Sequence, residues 1–324
     1  MALHILPRTL TYLEAVARIG SVQGASRTLG IAASAIDRQI IALEDACQTP
    51  LFERHPRGMR LTSAGEAVVL LARRWRADED RLEENLRAMR GEQFGTVRLA
   101  AMDSLANSIL PDFVTIFSGR YQRIRFAIDI MTPKEAAREL EIGSIDLALA
   151  FNLPPDKARH VLWSAPLPFG CVVGRGHPLW GQAGTTLSEA AKHPLAAQSR
   201  VLPVREYLDK RYGWLFDQAE PALVTNSLQF LKQALISGDY LAITSQLDAL
   251  RELETGSLSF VPLTDQGLRP QTINIAVDAR RSLPRAARLV GEALSEMIPA
   301  RLTALEGDKP GNDQSGYQTE TLHP

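Results

Sequence analysis

Cysteine is nearly absent from this 324-residue chain: Cys47 and Cys171 stand far apart, with no CxxC pair and no zinc-type spacing. A disulfide framework and a cysteine-based metal site are thereby excluded, and two small buried thiols in a reduced compartment are expected. Long apolar runs are missing too. The start, MALHILPRTL, lacks the apolar core of a secretory signal, and no stretch reaches transmembrane length, which predicts a cytoplasmic protein with no membrane partner. The histidines (His4, His55, His160, His177, His193 and His323) are scattered, with no HExxH, and no GxSxG elbow, P-loop or GxGxxG follows a strand. The expectation is a non-enzyme with no catalytic residue, no metal site and no cofactor; His177, before Pro178 in a turn, reads as structural. Net charge is only −1, which does not by itself announce nucleic acid. Lysine is absent until Lys134, and the first 61 residues carry seven Arg against five acidic residues. A small positive balance made wholly of guanidinium groups favours planar, bidentate phosphate contacts.

What is present begins with Ser21 to Glu44, SVQGASRTLGIAASAIDRQIIALE. Val22, Ala25, Ser26 and Leu29 place small and apolar groups on one face of a first short helix. Gly30 permits a sharp turn and Ile31 plugs the corner. A second helix then packs Ile36, Ile40 and Leu43 inward, leaving Ser34, Asp37, Arg38 and Ile41 near or on its outer face. Two helices joined this way present one of them to the major groove of DNA. Taken alone, the stretch would suit an ordinary helical hairpin in a core. Next comes LFERHPRGMRL, where LFER and MRL flank a Pro/Gly turn and form a two-stranded wing. Arg54, Arg57 and Arg60 cluster on it, suited to phosphates and a minor groove.

GSVQGASRTLGI, ASAIDRQIIALE and PLFERHPRGMRLTSAGE together resemble the amino-terminal winged helix-turn-helix of LysR-type transcriptional regulators, without gaps from about Leu10 to Glu66. The resemblance implies a sequence-specific, double-stranded-DNA-binding regulator controlled by a small-molecule effector. Its candidate DNA-binding residues are Gln23, Arg27, Ala33, Ser34, Asp37, Arg38, Arg54, Arg57 and Arg60. The chain departs from the family's usual Ser-Gln-Pro at the start of the recognition helix, where Ala32, Ala33 and Ser34 stand; a later Ser is Asp37. Alanine can only touch a thymine methyl, whereas Gln reads adenine through two hydrogen bonds, so the usual base contacts do not carry over. Asp37 can pair with Arg38 or accept from a cytosine amino group.

Residues 1–62 are thus expected to be the winged domain and 63–91 a linker and dimerisation helix. Thr62 and Ser63 are good caps, and Ser63 with Glu66 fits a capping box. Val68, Ala72, Trp75, Glu79, Leu82, Leu86 and Met89 follow at spacings of four and three, a coiled-coil-like seam interrupted only at Glu79. Such a stripe wants a partner: either a second copy, which the resemblance also implies, or the chain's own second domain. A homodimer or homotetramer could read two half-sites of a near-palindromic promoter site, with RNA polymerase a further partner of such a regulator.

From about residue 95, strands alternate with helices, which argues for α/β architecture with a parallel sheet. The resemblance makes residues 92–305 a two-lobed, periplasmic-binding-protein-like effector domain, marked by GSIDLALA, GRGHPL, VTNSLQFL and ISGDYLAITS. The family's usual second Gly is replaced near Asp239-Tyr240. Lobe one is placed at about 95–165 and 271–305 and lobe two at about 166–270, followed by a disordered tail, 306–324. A small polar metabolite, carboxylate-like, should sit at the carboxyl ends of strands. The candidates there are Ser104, Thr132, Phe151, Asn152, Ser199, Asn226, Ser227 and Thr244, with Arg205 at the start of a helix as counter-charge. An adaptor whose winged domain binds protein is the rival reading from another class.

Overall fold

The computed structural model describes residues 5–55, 58–90, 95–200, 202–218 and 220–307. Arg57 and most of the tail expected at 306–324 lie outside the described residues. Two compact units divide the chain: Met1–Met102 with Ile116–Leu162 and Asn274–Arg288, and Asp103–Thr115 with Trp163–Ile273 and Leu289–Pro324.

The chain opens with α1 (Arg8–Ile19), α2 (Val22–Leu29), α3 (Ala33–Cys47) and the hairpin β1 (Phe52–His55) and β2 (Gly58–Leu61). Ser21 caps α2 by accepting from Gly24 N at 3.1 Å. Gly30 ends α2 in the left-handed region, φ 68°, a conformation that side-chain-bearing residues adopt only with strain. Leu13, Val16, Ala25, Ile36, Ile40 and Leu51 form the buried core, with Ile31 and Leu43 packed at its rim. Cys47 departs from expectation. It lies on the inward period of α3 but is exposed, because the last turn, from Asp45 on, runs past the core and is exposed throughout.

A long helix, α4 (Ser63–Met89), follows, and then β3 (Gly95–Ala101), α5 (Asp103–Ala106), α6 (Ile109–Arg120), β4 (Ile124–Ile130), α7 (Pro133–Ile142), β5 (Leu147–Phe151) and β6 (Arg159–Leu167). The chain continues through β7 (Phe169–Gly174), α8 (Leu187–Ala190), β8 (Ala196–Gln198), α9 (Pro203–Gln218), β9 (Leu223–Thr225), α10 (Leu228–Ile236) and β10 (Leu241–Ser245). It closes with α11 (Leu250–Glu254), β11 (Leu258–Pro262), β12 (Gln271–Asp278) and α12 (Arg285–Gly307).

Of the two expected caps of α4, the structure uses Thr62, not the Ser63–Glu66 box. The Thr62 hydroxyl accepts from Gly65 N at 3.0 Å and donates to Pro50 O at 2.8 Å. The helix presents three faces. Val69 is buried in the winged-domain core, and Ala72, on the expected seam, is buried too, so it is not part of an exposed stripe. A second face lies on the α/β part of the same unit through ion pairs: Arg74 with Glu141 at 2.6 Å, Glu84 with Arg98 at 3.1 Å and Asp78 with Arg281 at 3.0 Å. The third face stays exposed and apolar: Leu71, Trp75, Leu82, Leu86 and Met89. Glu79, the irregular seam position, accepts from the backbone N–H groups of Ile5 and Leu6 and so ties down the start of the chain.

The first unit's sheet runs β4-β3-β5-β12-β6, with β3 parallel to both β4 and β5. Its central strands are buried along most of their length, the apolar run of LALAF being the sign of a strand covered on both faces. Ala136 and Leu140, four apart on α7, meet Ala100, Ala148 and Ala276. The strand β6 has no counterpart in the sequence reading: its partly exposed residues, with Pro166 inside, show no strict alternation.

The second unit departs from a parallel sheet. Strand β7 pairs antiparallel with both β10 and β11, while β8 and β9 are parallel. FGCVVG is buried on both faces, with Phe169, Cys171 and Val173 in one cluster and Val172 in another. A run of that kind carries no information about strand direction. Cys171 is the expected buried thiol, pushed up to about 12 by burial and by Asp265. Helix α5 and much of α12 group with the second unit. Arg251 reaches Asp112 at 3.1 Å, and Arg301 reaches both Asp112, at 3.3 Å, and Glu254.

His177 is buried, and its Nδ1 accepts from Leu179 N at 3.1 Å. Burial, reinforced by His193, holds it below the ordinary histidine value of 6.5. A histidine depressed in the folded state contributes stability above its unfolded value, and that stability is lost as pH falls toward the folded one. The thermal midpoint is therefore expected to decline on acidification below pH 6.5, and His177→Gln to flatten that limb. An identical pH profile in the variant would exclude His177 as its origin.

Candidate nucleic-acid interface and effector site

The winged domain carries its described candidates on α2, α3 and the hairpin. Gln23 and Arg27 are exposed on α2; Ser34 and Arg38 are exposed on α3, with Ala33 and Asp37 half-buried beside them. Ala32 precedes α3 and makes no side-chain cap hydrogen bond to its first turn. Arg60 is exposed on β2, opposite Glu53, and Arg54 lies on β1 opposite Met59. A helix with a bare amino end and an arginine-bearing hairpin can contact base edges and phosphates together.

One residue that holds this arrangement went unread in the sequence. The Glu44 Oε1 accepts from Leu51 N at 2.7 Å and Phe52 N at 3.1 Å. It ties the start of the wing to the recognition helix, seven and eight residues away, a spacing that matches no local motif. Glu44→Ala is expected to leave two backbone donors unpaired, at a cost of about 1–3 kcal/mol. Hydrogen exchange at Leu51 and Phe52 should speed up in that variant; unchanged protection would refute the buttress.

The effector candidates separate by unit. In the first, Thr132 caps α7 in a completed capping box with Glu135. Hydrogen bonds from the Thr132 backbone and side chain hold Glu135 below the usual carboxylate range. Phe151 is buried at the end of β5, its N–H donating to Met102 Sδ at 3.1 Å. Asn152 is exposed, with φ 47°.

In the second unit, topology brings four candidates together. The β8–β9 register pairs Gln198 with Thr225, setting Ser199 beside Asn226 and Ser227. A parallel bridge from Leu195 to Leu241 carries the same register to β10, which brings Thr244 to the level of Gln198. Asn226 and Ser227 are exposed, and Ser227 caps α10 by accepting from Phe230 N at 3.2 Å. Thr244 is buried and donates to Asp248, whose carboxyl also accepts from Ser245 N at 3.5 Å. Burial raises the Asp248 carboxyl despite these bonds. Ser104 faces the same carboxyl and favours its charged form, yet its buried hydroxyl completes no hydrogen bond of ordinary geometry. Arg205 borders a recess at the end of β8. Among the described residues there is no group of three His, Cys, Asp or Glu able to hold a metal, and no helix long and apolar enough to cross a membrane.

Comparison with known proteins places both parts. Residues 7–66 match the family model described as bacterial regulatory helix-turn-helix protein, lysR family, and residues 90–298 match the LysR substrate binding domain. The RuBisCO operon transcriptional regulator of Allochromatium vinosum is 26% identical over 298 residues, 91% of this chain and 97% of that protein. The HTH-type transcriptional regulator CbbR of Sinorhizobium medicae is 26% identical over 294 residues, 90% of this chain and 91% of that one. Among solved structures, full-length CbnR complexed with its target DNA superposes with a TM-score of 0.62 at 20% identity, covering 89% of this chain and 98% of that one. A full-length OxyR variant from Pseudomonas aeruginosa gives 0.63 at 17% identity, covering 90% and 95%. A winged helix-turn-helix, a long helix and an α/β effector domain follow one another in a chain that belongs to the LysR family of transcriptional regulators.

Proposed function

We propose that the chain acts as a homodimer, or a dimer of dimers, that reads a near-palindromic promoter site and changes its grip on DNA when a small polar metabolite binds the effector domain. The observation that carries this reading is the exposed apolar face of α4, Leu71, Trp75, Leu82, Leu86 and Met89, directly after a folded winged domain. A second copy covering that stripe pairs two recognition helices, as two half-sites require. Base contacts come from Ala33, Ser34, Asp37 and Arg38. Phosphate contacts come from Gln23, Arg27, Arg54, Arg57 and Arg60. Candidate metabolite contacts are Thr132, Phe151 and Asn152 within the first unit, and Ser104, Ser199, Asn226, Ser227 and Thr244 within the second. The chain catalyses no reaction, needs no cofactor or metal, works in the cytoplasm where its DNA lies, and has RNA polymerase as a further partner. The CbbR and RuBisCO-operon relatives are themselves named as regulators, which supports this reading over the adaptor one.

Selection of bound fragments from random duplexes at moderate salt tests it. An inverted repeat should be recovered. Arg60→Ala should weaken binding across all sequences and lower the salt slope by about one. Arg38→Ala should instead relax the preference at one position, by about 1–3 kcal/mol. A folded dimer that recovers no sequence, with or without metabolite extract, would overturn the proposal.

A further inference from the structure

Ile41 stands on the outer face of α3, 47% exposed, although burial would stabilise so large an apolar side chain. Helical period fixes which face it occupies. Ile36 and Ile40 enter the winged-domain core. Ser34, Arg38, Ile41 and Asp45, spaced four, three and four apart, are all exposed and follow one another along the opposite side. Apolar residues scattered singly over a surface need no explanation, but this one sits in the middle of the face that a winged helix-turn-helix turns to DNA. The other large apolar side chains exposed ahead of α4, Ile5 and Ile19, lie outside α3. Local structure does not favour Ile41 either, since a β-branched residue is a poorer helix former than Arg, Lys, Gln or Glu. Its neighbours narrow what it can do. Asp37 and Asp45 lie one turn before and one turn after it. Two carboxylates there disfavour phosphate oxygens, which leaves base edges as the opposing surface.

We propose that Ile41 is a specificity-determining residue that reads the C5-methyl group of one thymine in each half-site. This rests on the DNA-binding reading above and adds the base and the group that is read. The side chain carries no donor or acceptor, and the one apolar feature of a major-groove base edge is that methyl. Against cytosine, the same contact would cover an amino donor that Ile41 cannot satisfy, so thymine is selected by a penalty on its competitor as well as by a gain. Helix geometry sets the position. Side chains three apart on a helix are separated by about 5–6 Å, and successive base pairs by about 3.4 Å. The thymine therefore falls within about two base pairs of the position that Arg38 contacts.

The test uses the full-length protein and the sites it selects from random duplexes. Each thymine of a half-site is replaced in turn by deoxyuridine, which removes the methyl and keeps the pairing. Binding is then titrated at fixed salt with wild type, Ile41→Ala and Ile41→Leu. At one thymine, within about two base pairs of the position that Arg38→Ala relaxes, loss of the methyl should weaken wild type about three- to fivefold, the worth of one buried methyl group. The same replacement should leave Ile41→Ala unaffected, and Ile41→Leu, which keeps the apolar surface, should retain most of the effect. The readout is the coupling between methyl and side chain, not the affinity of a variant alone. Alanine is the better helix former and the position is exposed, so the fold should hold; Ile41→Leu gives a second, apolar check. Equal losses in wild type and Ile41→Ala at every thymine, no loss at any thymine, or a selected half-site without thymine would each overturn the assignment and leave the regulator reading in place. Recovery of no preferred sequence would overturn both.

Discussion

Trp75→Glu combined with Leu82→Glu is expected to leave a monomeric chain whose affinity for promoter DNA has fallen by ~10²–10⁴-fold, the factor by which linking two binding modules raises avidity. Both side chains are more than 40% exposed on α4, at 44% and 42%, and they lie on one stripe with Leu71, Leu86 and Met89. The described anchors of the helix lie elsewhere: Val69 packs into the winged-domain core, and Arg74, Asp78 and Glu84 hold it on the α/β part. Charges placed on the exposed stripe should therefore spare the fold and break the pairing of two copies. Sedimentation and a half-site against full-site titration read the result. A variant that remains dimeric would show that the stripe is not the dimer contact. A monomer with undiminished affinity would show that the two winged domains do not act together on DNA.

Gly65→Ala should unfold or badly loosen the winged domain. A Cβ at this position would lie 2.0 Å from the backbone oxygen of Leu51 and 2.9 Å from Leu61 Cδ2. The obstacle is backbone, fixed on both sides: Leu51 O accepts from Thr62 N at 3.0 Å, and Leu51 N donates to Glu44 at 2.7 Å. Alanine would gain about 1 kcal/mol of helix propensity, but overpacking against an immovable group costs about 1–3 kcal/mol and sometimes more. At so short a contact the clash wins. A domain of about 60 residues has little stability to lose, so a drop of about 2 kcal/mol should appear as loss of DNA binding at physiological temperature and early melting of the amino-terminal part. Unchanged hydrogen exchange in α1 to α3, with full DNA binding, would show that α4 can shift without consequence.

Much of the winged domain is legible in the chain because its signals are local. Ala25 allows close helix approach, Gly30 makes the turn, and Ile36 and Ile40 follow at helical period. Thr132 before Pro133 and Glu135 likewise announces the capping box that the structure contains. Signals fail where the deciding partner is distant in sequence. Periodicity alone cannot distinguish Ala72, which is buried, from Trp75, which is exposed, since both lie on one apolar seam. Glu79 breaks that seam because Ile5 and Leu6 need an acceptor there, and Cys47 follows the inward period of α3 yet emerges where the core stops.

By itself, then, the sequence determined the family and the order of a winged domain, a long helix and an α/β domain. Those follow from local period, turn residues and a contiguous motif. Tertiary structure alone decided the direction of β7 against β10 and β11, since a strand buried on both faces reads the same in either direction. It also decided which face of α4 stays free and that Glu44 holds the wing. Lastly it set Ser199 beside Asn226 and Ser227 and brought Thr244 to the level of Gln198, because register rather than sequence distance sets which residues meet.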